Sequence, residues 1–190
     1  MRSLRRARES ARACRQKIRL DNAALFEWLQ EYLPRVHDIE LTCVEPSFLQ
    51  GGKAEVCPAE GCLYYNKELD ADPAQRLFVI LHELGHLELH ERLKRNCVEP
   101  DPIYSAMYST TETAAIARYN RRSQEEAEAN AFATEFLCPS DDLFSRWQAD
   151  SRSDSATLAK EFAVPVHVVH AQLAEALQRL VLGGEDAQAK

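Results

Sequence analysis

The sequence has no long apolar stretch. Its longest unbroken aliphatic or aromatic run is Leu77 to Leu81, whereas a membrane-spanning helix needs roughly 18 or more such residues. No apolar segment follows the basic N-terminal stretch, so the sequence predicts no secretory signal, and we expect a cytoplasmic protein without membrane contact. With 45% hydrophobic and 28% charged residues among 190, the composition excludes collagen-like, mucin-like and wholly disordered chains.

The six cysteines also lack the pattern of a disulfide framework. They are widely scattered, and the one close pair, Cys57 and Cys62, has four residues between its members and no second pair at zinc-knuckle spacing. Because a reducing cytoplasm disfavours disulfides, we expect reduced thiols. A structural zinc site built on these cysteines is the alternative that the spacing disfavours.

Positive charge is concentrated at one end of the chain. Residues 1–19 contain eight basic residues and one acidic residue, a net charge of +7, so the total of -7 leaves -14 for residues 20–190. This distribution predicts a basic arm on an acidic body. The basic residues within 2–19 suggest contact with nucleic acid or with an acidic partner; the alternative is a solvated helix whose arginines face water.

Apolar periodicity and turn residues predict an α+β fold. We expect a small antiparallel three-stranded sheet packed on one long helix and on further helices. We divide the chain into a helical N-terminal arm, a central domain and a C-terminal helical extension packed on it, at residues 1–35, 36–140 and 141–190. Strands are predicted within residues 37–44, 54–56 and 62–65, and helices within residues 4–33, 72–95, 110–137, 154–163 and 165–182.

A metal-binding pattern lies within the helix that begins at Asp72-Pro73. His82 and His86 are four positions apart, so they lie about 40° apart around the helix and one turn along it, within reach of one metal ion. With Glu83 beside them they form H-E-x-x-H, in which zinc makes a water molecule more acidic and the glutamate takes its proton during attack on a carbonyl. The alternative is a coincidence on a solvated helix; the strong cap and the apolar stripe favour the metal site.

Catalytic zinc needs a third protein ligand and an open fourth position. The extended pattern with a third histidine is excluded because Arg92 stands at that position. On the next predicted helix, Glu126 shares a face with small residues that permit close approach to the motif helix. We therefore predict Glu126 as the third ligand, with Glu125 and Glu128 as alternatives and a helix-capping role as the competing explanation for Glu126.

Two segments together carry a family resemblance. HELGHLELH (residues 82–90) followed by EAEANAFATEFLCP (residues 126–139) resembles the ImmA/IrrE-type metallopeptidases, with HELGH and then E-x-x-A-N-x-F-A-x-E-L-L-x-P. Tyr65-Asn66 and the segment LAKEFAVPVHVVHAQL (residues 158–173) fit the same layout. The resemblance covers about residues 60–175 and leaves residues 1–35 outside it.

The resemblance implies more than the spacing does. It implies a short gluzincin-like protease with His82, His86 and Glu126 as Zn2+ ligands and Glu83 as general base. Such proteins usually cleave a helix-turn-helix repressor encoded beside them and so release stress, mobile-element or phage-defence genes, often after DNA damage. Single-stranded DNA is the activating signal in some members, and here the basic residues 2–19 are the candidate for binding it.

The thiols suggest a means of regulation. A thiolate at the fourth zinc position would displace the catalytic water, and Cys97, which follows the motif helix, is the better candidate for this inhibitory ligand than Cys138. Small cysteines without a role are the alternative. Oxyanion stabilisation requires a further donor near the metal, and the candidates are Tyr104, Tyr108, Tyr119 and His90.

The leading hypothesis is therefore a zinc endopeptidase that cleaves a partner repressor. The alternative is a non-proteolytic zinc-containing module that binds a repressor or nucleic acid. Glu83 argues against this alternative, because a purely structural metal site has no use for a carboxylate beside its ligands. His167 and His170 are expected to be surface or core residues, and the C-terminal helices to serve packing or docking because they carry few basic residues.

Overall fold

The computed structural model describes residues 2–18, 21–50, 52–90, 112–150 and 153–188. Seven helices and three strands are assigned within them. No helix among these residues is both long enough and apolar enough to cross a membrane. The helices are α1 (Arg2–Gln16), α2 (Leu25–His37), α3 (Pro73–Leu89), α4 (Glu112–Leu137), α5 (Ser140–Ala149), α6 (Ser155–Phe162) and α7 (Val166–Gln188), and the strands are β1 (Glu40–Val44), β2 (Ala54–Cys57) and β3 (Cys62–Asn66).

The sheet has the strand order β1-β3-β2 and is mixed. The hairpin of β2 and β3 is antiparallel, with Cys57 opposite Cys62. β1 runs parallel to β3, with Glu40 opposite Cys62. The predicted α+β class and the three strands are confirmed. The purely antiparallel pairing is wrong for β1, because β3 lies between the two earlier strands and runs in the same direction as β1.

Helix α3 begins where the sequence predicts. The Asp72 carboxylate accepts a hydrogen bond from the Gln75 N–H at 3.0 Å, and Pro73 occupies the first turn, where no backbone donor is needed. The helix ends at Leu89, earlier than the predicted Arg95, and residue 90 has non-helical backbone angles. Its apolar stripe is buried in the core and consists of Leu77, Ile80, Leu81, Leu84 and Leu87.

Helices α3 and α4 pack closely at Gly85. A methyl group added to Gly85 would lie 3.2 Å from the Ala129 Cα and 3.2 Å from Phe132 side-chain atoms. Ala129 and Phe132 are themselves fully buried. The glycine and the small residues of α4 therefore let the two helix backbones approach, and this brings residues 126–132, in the second half of α4, alongside the histidines of α3.

Helices α4 and α6 lie within a residue or two of the predicted ranges, and α6 is capped by Asp154, whose carboxylate accepts from the Thr157 N–H at 2.7 Å. Two differences occur in the C-terminal part. Helix α5 was not predicted. Helix α7 continues past the predicted end at Gly183-Gly184, which shows that helical context here tolerates two glycines at about 1 kcal/mol each relative to alanine.

Helix α1 packs along α4, with Ala7 and Ala11 buried. Its Arg12 Nε donates to Glu135 Oε1 at 2.6 Å, and Arg8 pairs with Glu175 of α7 at 2.8 Å. Two arginines of the basic segment thus contact acidic residues of the body instead of facing water.

Candidate metal centre

Three potential ligand atoms converge between α3 and α4. His82 and His86 lie one turn apart on α3, with their Nε2 atoms 3.1 Å apart. Glu126 of α4 reaches them with Oε2 at 3.2 Å from His82 Nε2 and Oε1 at 3.6 Å from His86 Nε2. All three residues place ligand atoms within 4.8 Å of one another, and they are the only such group among the described residues.

The opposite edges of both imidazoles are fixed by neighbours. His82 Nδ1 lies 3.0 Å from the Asn130 side-chain oxygen, and His86 Nδ1 lies 3.1 Å from His90 Nδ1. Since an amide oxygen can only accept, His82 donates from Nδ1, which leaves the lone pair on its Nε2. Second partners of this kind set the tautomer and the ring orientation of metal-binding histidines.

The three groups together favour a positive charge between them. When their Nε2 atoms carry protons, hydrogen bonds from His82 and His86 hold the pKa of Glu126 well below its usual range; a metal ion would take the place of those protons. Burial alone would lower the pKa of His82, but the hydrogen bond to Glu126 and the charge of Glu83 raise it above its usual value. Two imidazoles and one carboxylate, with the Glu126 side chain 48% exposed on one side, are the donor set of an open zinc site.

Glu83 lies beside this group and contacts the sheet. Its Oε2 accepts a hydrogen bond from the Val56 N–H of β2 at 3.2 Å. Burial raises the pKa of Glu83 above its usual range, against the opposing effects of the two histidines and the Val56 N–H. A desolvated carboxylate with a raised pKa is better suited to accept a proton than an exposed one.

The comparisons with known proteins agree with this geometry. A family model for Peptidase_M78, described as the IrrE N-terminal-like domain, matches residues 42–174, which contain both histidines, Glu83 and Glu126. The chain belongs to this peptidase family. No curated protein sequence matches it.

One solved structure shares the fold. A Mycobacterium tuberculosis transcriptional regulator superposes with a TM-score of 0.60 at 21% identity, over 86% of this chain and 45% of that chain. The chain therefore spans less than half the length of that protein. At this identity the likeness establishes a common fold.

The alternative third ligands of this IrrE-like domain lie elsewhere. Glu128 accepts from His90, whose Nε2 is 3.1 Å from Glu128 Oε2, and from Gln124 Nε2 at 2.7 Å. Burial alone would raise the pKa of Glu128, but hydrogen bonds from Gln124, His90 and Ser3 hold it below its usual value. Glu125 is partly buried and, like Glu128, is not part of the ligand group.

Of the two predicted regulatory thiols, Cys138 lies within the described residues, and it is distant from the ligand group. Cys138 is fully buried at the end of α4, about 18 Å along the helix from Glu126. Burial, together with Glu135, raises the pKa of its thiol to about 12, which disfavours a metal-binding thiolate. Cys97 lies outside the described residues, and so do Tyr104, Tyr108 and the side chain of Tyr119.

The remaining candidates are accounted for. Within the described part of the chain, His90 contacts the ligand group through His86, and the exposed His167 and His170 of α7 are not part of that group. Sequence reasoning assigned no role to Val56, Asn130 or Gly85. The sequence could have indicated Asn130, because this residue lies four positions after Glu126 and so on the same face of α4.

Proposed function

We propose that this protein is a zinc-dependent endopeptidase that cleaves a helix-turn-helix repressor. The observation that carries the proposal is the pairing of two arrangements at one place. His82, His86 and Glu126 form a half-open ligand group, and the half-buried Glu83 carboxylate lies next to it without joining it. A structural metal site would be closed by a fourth ligand and would need no neighbouring base.

Zinc fits these residues in donor chemistry. His82 and His86 would bind it through Nε2, because their Nδ1 atoms face Asn130 and His90. Glu126 would supply the one negative charge and the third ligand. Bound there, zinc would act as a Lewis acid toward a peptide carbonyl and would make water more acidic.

The protein's own contribution to cleavage is proton transfer and orientation. We assign to Glu83 the role of general base, which accepts a proton from the attacking water and returns it to the leaving amine. The Val56 N–H holds one Glu83 oxygen and leaves the other available. Because β2 is an edge strand that supplies this donor, the base is fixed relative to the sheet as well as to the ligands.

The substrate and the activating signal rest on resemblance. Family members of this type cleave repressors, and the structural neighbour is named a transcriptional regulator. For activation by single-stranded DNA we assign Arg5 and Arg6 of α1. Arg8 and Arg12 pair with Glu175 and Glu135 of other helices, whereas Arg5 pairs with Glu9 of its own helix at a solvent-exposed position. Release of stress or phage-defence genes after DNA damage would follow from cleavage.

The test is a digest of the helix-turn-helix protein encoded beside this chain, with and without single-stranded DNA. Glu83→Gln is expected to retain the fold and bound zinc and to lower the cleavage rate by about 10²–10⁴-fold, the usual contribution of a general base. Glu31→Gln, an exposed change of the same kind on α2, is the matched control.

Three outcomes separate the hypotheses. Cleavage by Glu83→Gln at the wild-type rate would contradict the endopeptidase mechanism. Binding of the repressor by zinc-loaded wild type without cleavage would favour the non-proteolytic module. A stimulated rate that survives replacement of Arg5 and Arg6 by glutamate would exclude these two arginines as the DNA contact; this design is sharper than deleting residues 1–19, which would also remove the Arg12–Glu135 pair.

A further inference from the structure

A line of three side chains leads away from the ligand group. His86 Nδ1 lies 3.1 Å from His90 Nδ1, and His90 Nε2 lies 3.1 Å from Glu128 Oε2. His90 is buried, and the Glu128 side chain is 14% exposed. The line therefore runs through the interior, where such hydrogen bonds are stronger than in water.

The chemistry of the donors gives this line a direction. A carboxylate can only accept, so His90 Nε2 carries a proton and donates it to Glu128. In neutral His90 the Nδ1 atom is then an acceptor, and His86 Nδ1 donates to it. This leaves the lone pair of His86 on Nε2, the atom that faces His82 and Glu126.

Both outer residues are held in place. His90 follows the last residue of α3, and its backbone N–H donates to the His86 carbonyl at 3.0 Å. Glu128 accepts from Gln124 on its own helix and from Ser3 at the start of α1. Contacts from α1, α3 and α4 thus hold His90 and Glu128 in place.

From these contacts we propose that His90 and Glu128 are positioning residues that hold His86 in the zinc-binding tautomer and orientation. The proposal rests on the proposed zinc site. His82 provides an internal contrast, because its outer nitrogen faces the neutral amide of Asn130. The outer partner of His86 is instead a histidine that is itself held by a carboxylate, so its ring orientation is fixed by two successive hydrogen bonds.

The test measures the zinc affinity of the 190-residue chain by competition with a chromogenic chelator. His90→Leu and Glu128→Gln are each expected to weaken zinc binding by about 10–100-fold, as loss of an outer partner does at other histidine sites. The double variant is expected to lose little beyond His90→Leu, because Glu128 acts through His90. His170→Leu and Glu31→Gln, both at exposed positions, are the matched controls.

A packing role and a positioning role predict opposite rankings at residue 90. Leucine fills buried space better, whereas asparagine can restore an acceptor for His86. We expect His90→Asn to bind zinc more tightly than His90→Leu, even if its metal-free form unfolds at lower urea. If His90→Leu binds zinc as tightly as wild type, or more tightly than His90→Asn, the positioning role is wrong. If wild type itself binds no zinc, the proposed function fails first.

Discussion

Among the glutamates of helix α4, Glu126 and Glu135 lie nine residues apart in opposite surroundings. Glu135 is completely buried and is surrounded by donors: Arg12 Nε at 2.6 Å, Gln172 Nε2 at 2.8 Å and the Ser140 N–H at 3.4 Å. Glu126 is half-exposed, and among the described side chains its close partners are the two histidines of α3. One carboxylate is neutralised by a permanent cation, and the other is held by groups that are neutral when they bind metal.

The difference separates a structural use of a carboxylate from a functional one. A buried charge persists only when a partner compensates the loss of solvation, and Arg12 supplies that compensation within the chain. At Glu126 the imidazoles supply it only when protonated. A metal ion would supply the same compensation without a proton. The surroundings of Glu126 are therefore suited to receive a metal ion, whereas the charge of Glu135 is already compensated within the chain.

The largest change in the free energy of unfolding is expected at Glu135. Arg12→Met would leave Glu135 buried without its cation and lower the free energy of unfolding by about 3 kcal/mol, the low end for a broken buried pair because Gln172 still donates. Urea denaturation of the metal-free protein measures it. Arg5→Met, which breaks the exposed Arg5–Glu9 pair of the same helix, is the control and should cost well under about 1 kcal/mol.

An Arg12→Met protein as stable as wild type would contradict the comparison. It would mean that solvent or other donors compensate the charge of Glu135 without Arg12, and that Glu135 and Glu126 do not differ in kind. Replacing Arg12 and Glu135 together by apolar residues should recover stability, because an apolar pair carries no desolvation cost.

The next largest effect is expected at Glu126 and concerns stabilisation of the protein by zinc. Zinc present at about 100 times its dissociation constant should raise the free energy of unfolding of wild type by about 2.7 kcal/mol through preferential binding to the folded state. Glu126→Gln should lose most of this increase while its metal-free stability stays near wild type, because the side chain is half-exposed. Arg12→Met should keep the increase. A zinc-induced gain of equal size in Glu126→Gln would remove Glu126 from the ligand set.

The sequence predicted those features of the fold that depend on residues close together in the chain. The Asp72-Pro73 start of α3, the end of α4 before Pro139 and the one-turn spacing of His82 and His86 follow from helix geometry. The parallel pairing of β1 with β3 was missed, because the choice between neighbouring strands depends on how the whole sheet packs. Helix α5 was missed for a related reason: the helix is held by packing of Leu143 into the core.

The site was predictable to the extent that one helix determines it. Glu126 was reached from the face it shares with small residues, but the choice over Glu128 was left open, since both lie within one turn. The structure separates them by partner: Glu126 meets His82 and His86, and Glu128 meets His90. Contacts between elements, such as Val56 with Glu83 or Arg12 with Glu135, left no signal in a single sequence.

The last test asks whether water reaches the surroundings of Glu135. Cys138 lies there fully buried, and burial raises the pKa of its thiol to about 12. Relative to the ordinary value of 9.0, this lowers its thiolate fraction at neutral pH about a thousandfold, and the fraction rises only as the pH approaches 12. Iodoacetamide at pH 7.5 should therefore label the exposed Cys43 readily and Cys138 only through unfolding, as peptide mass spectrometry would record.

In Arg12→Met the labelling of Cys138 should accelerate about 100-fold, in step with the lost stability. Fast labelling of Cys138 in the wild type would show that water reaches both ends of α4 and that burial does not distinguish them.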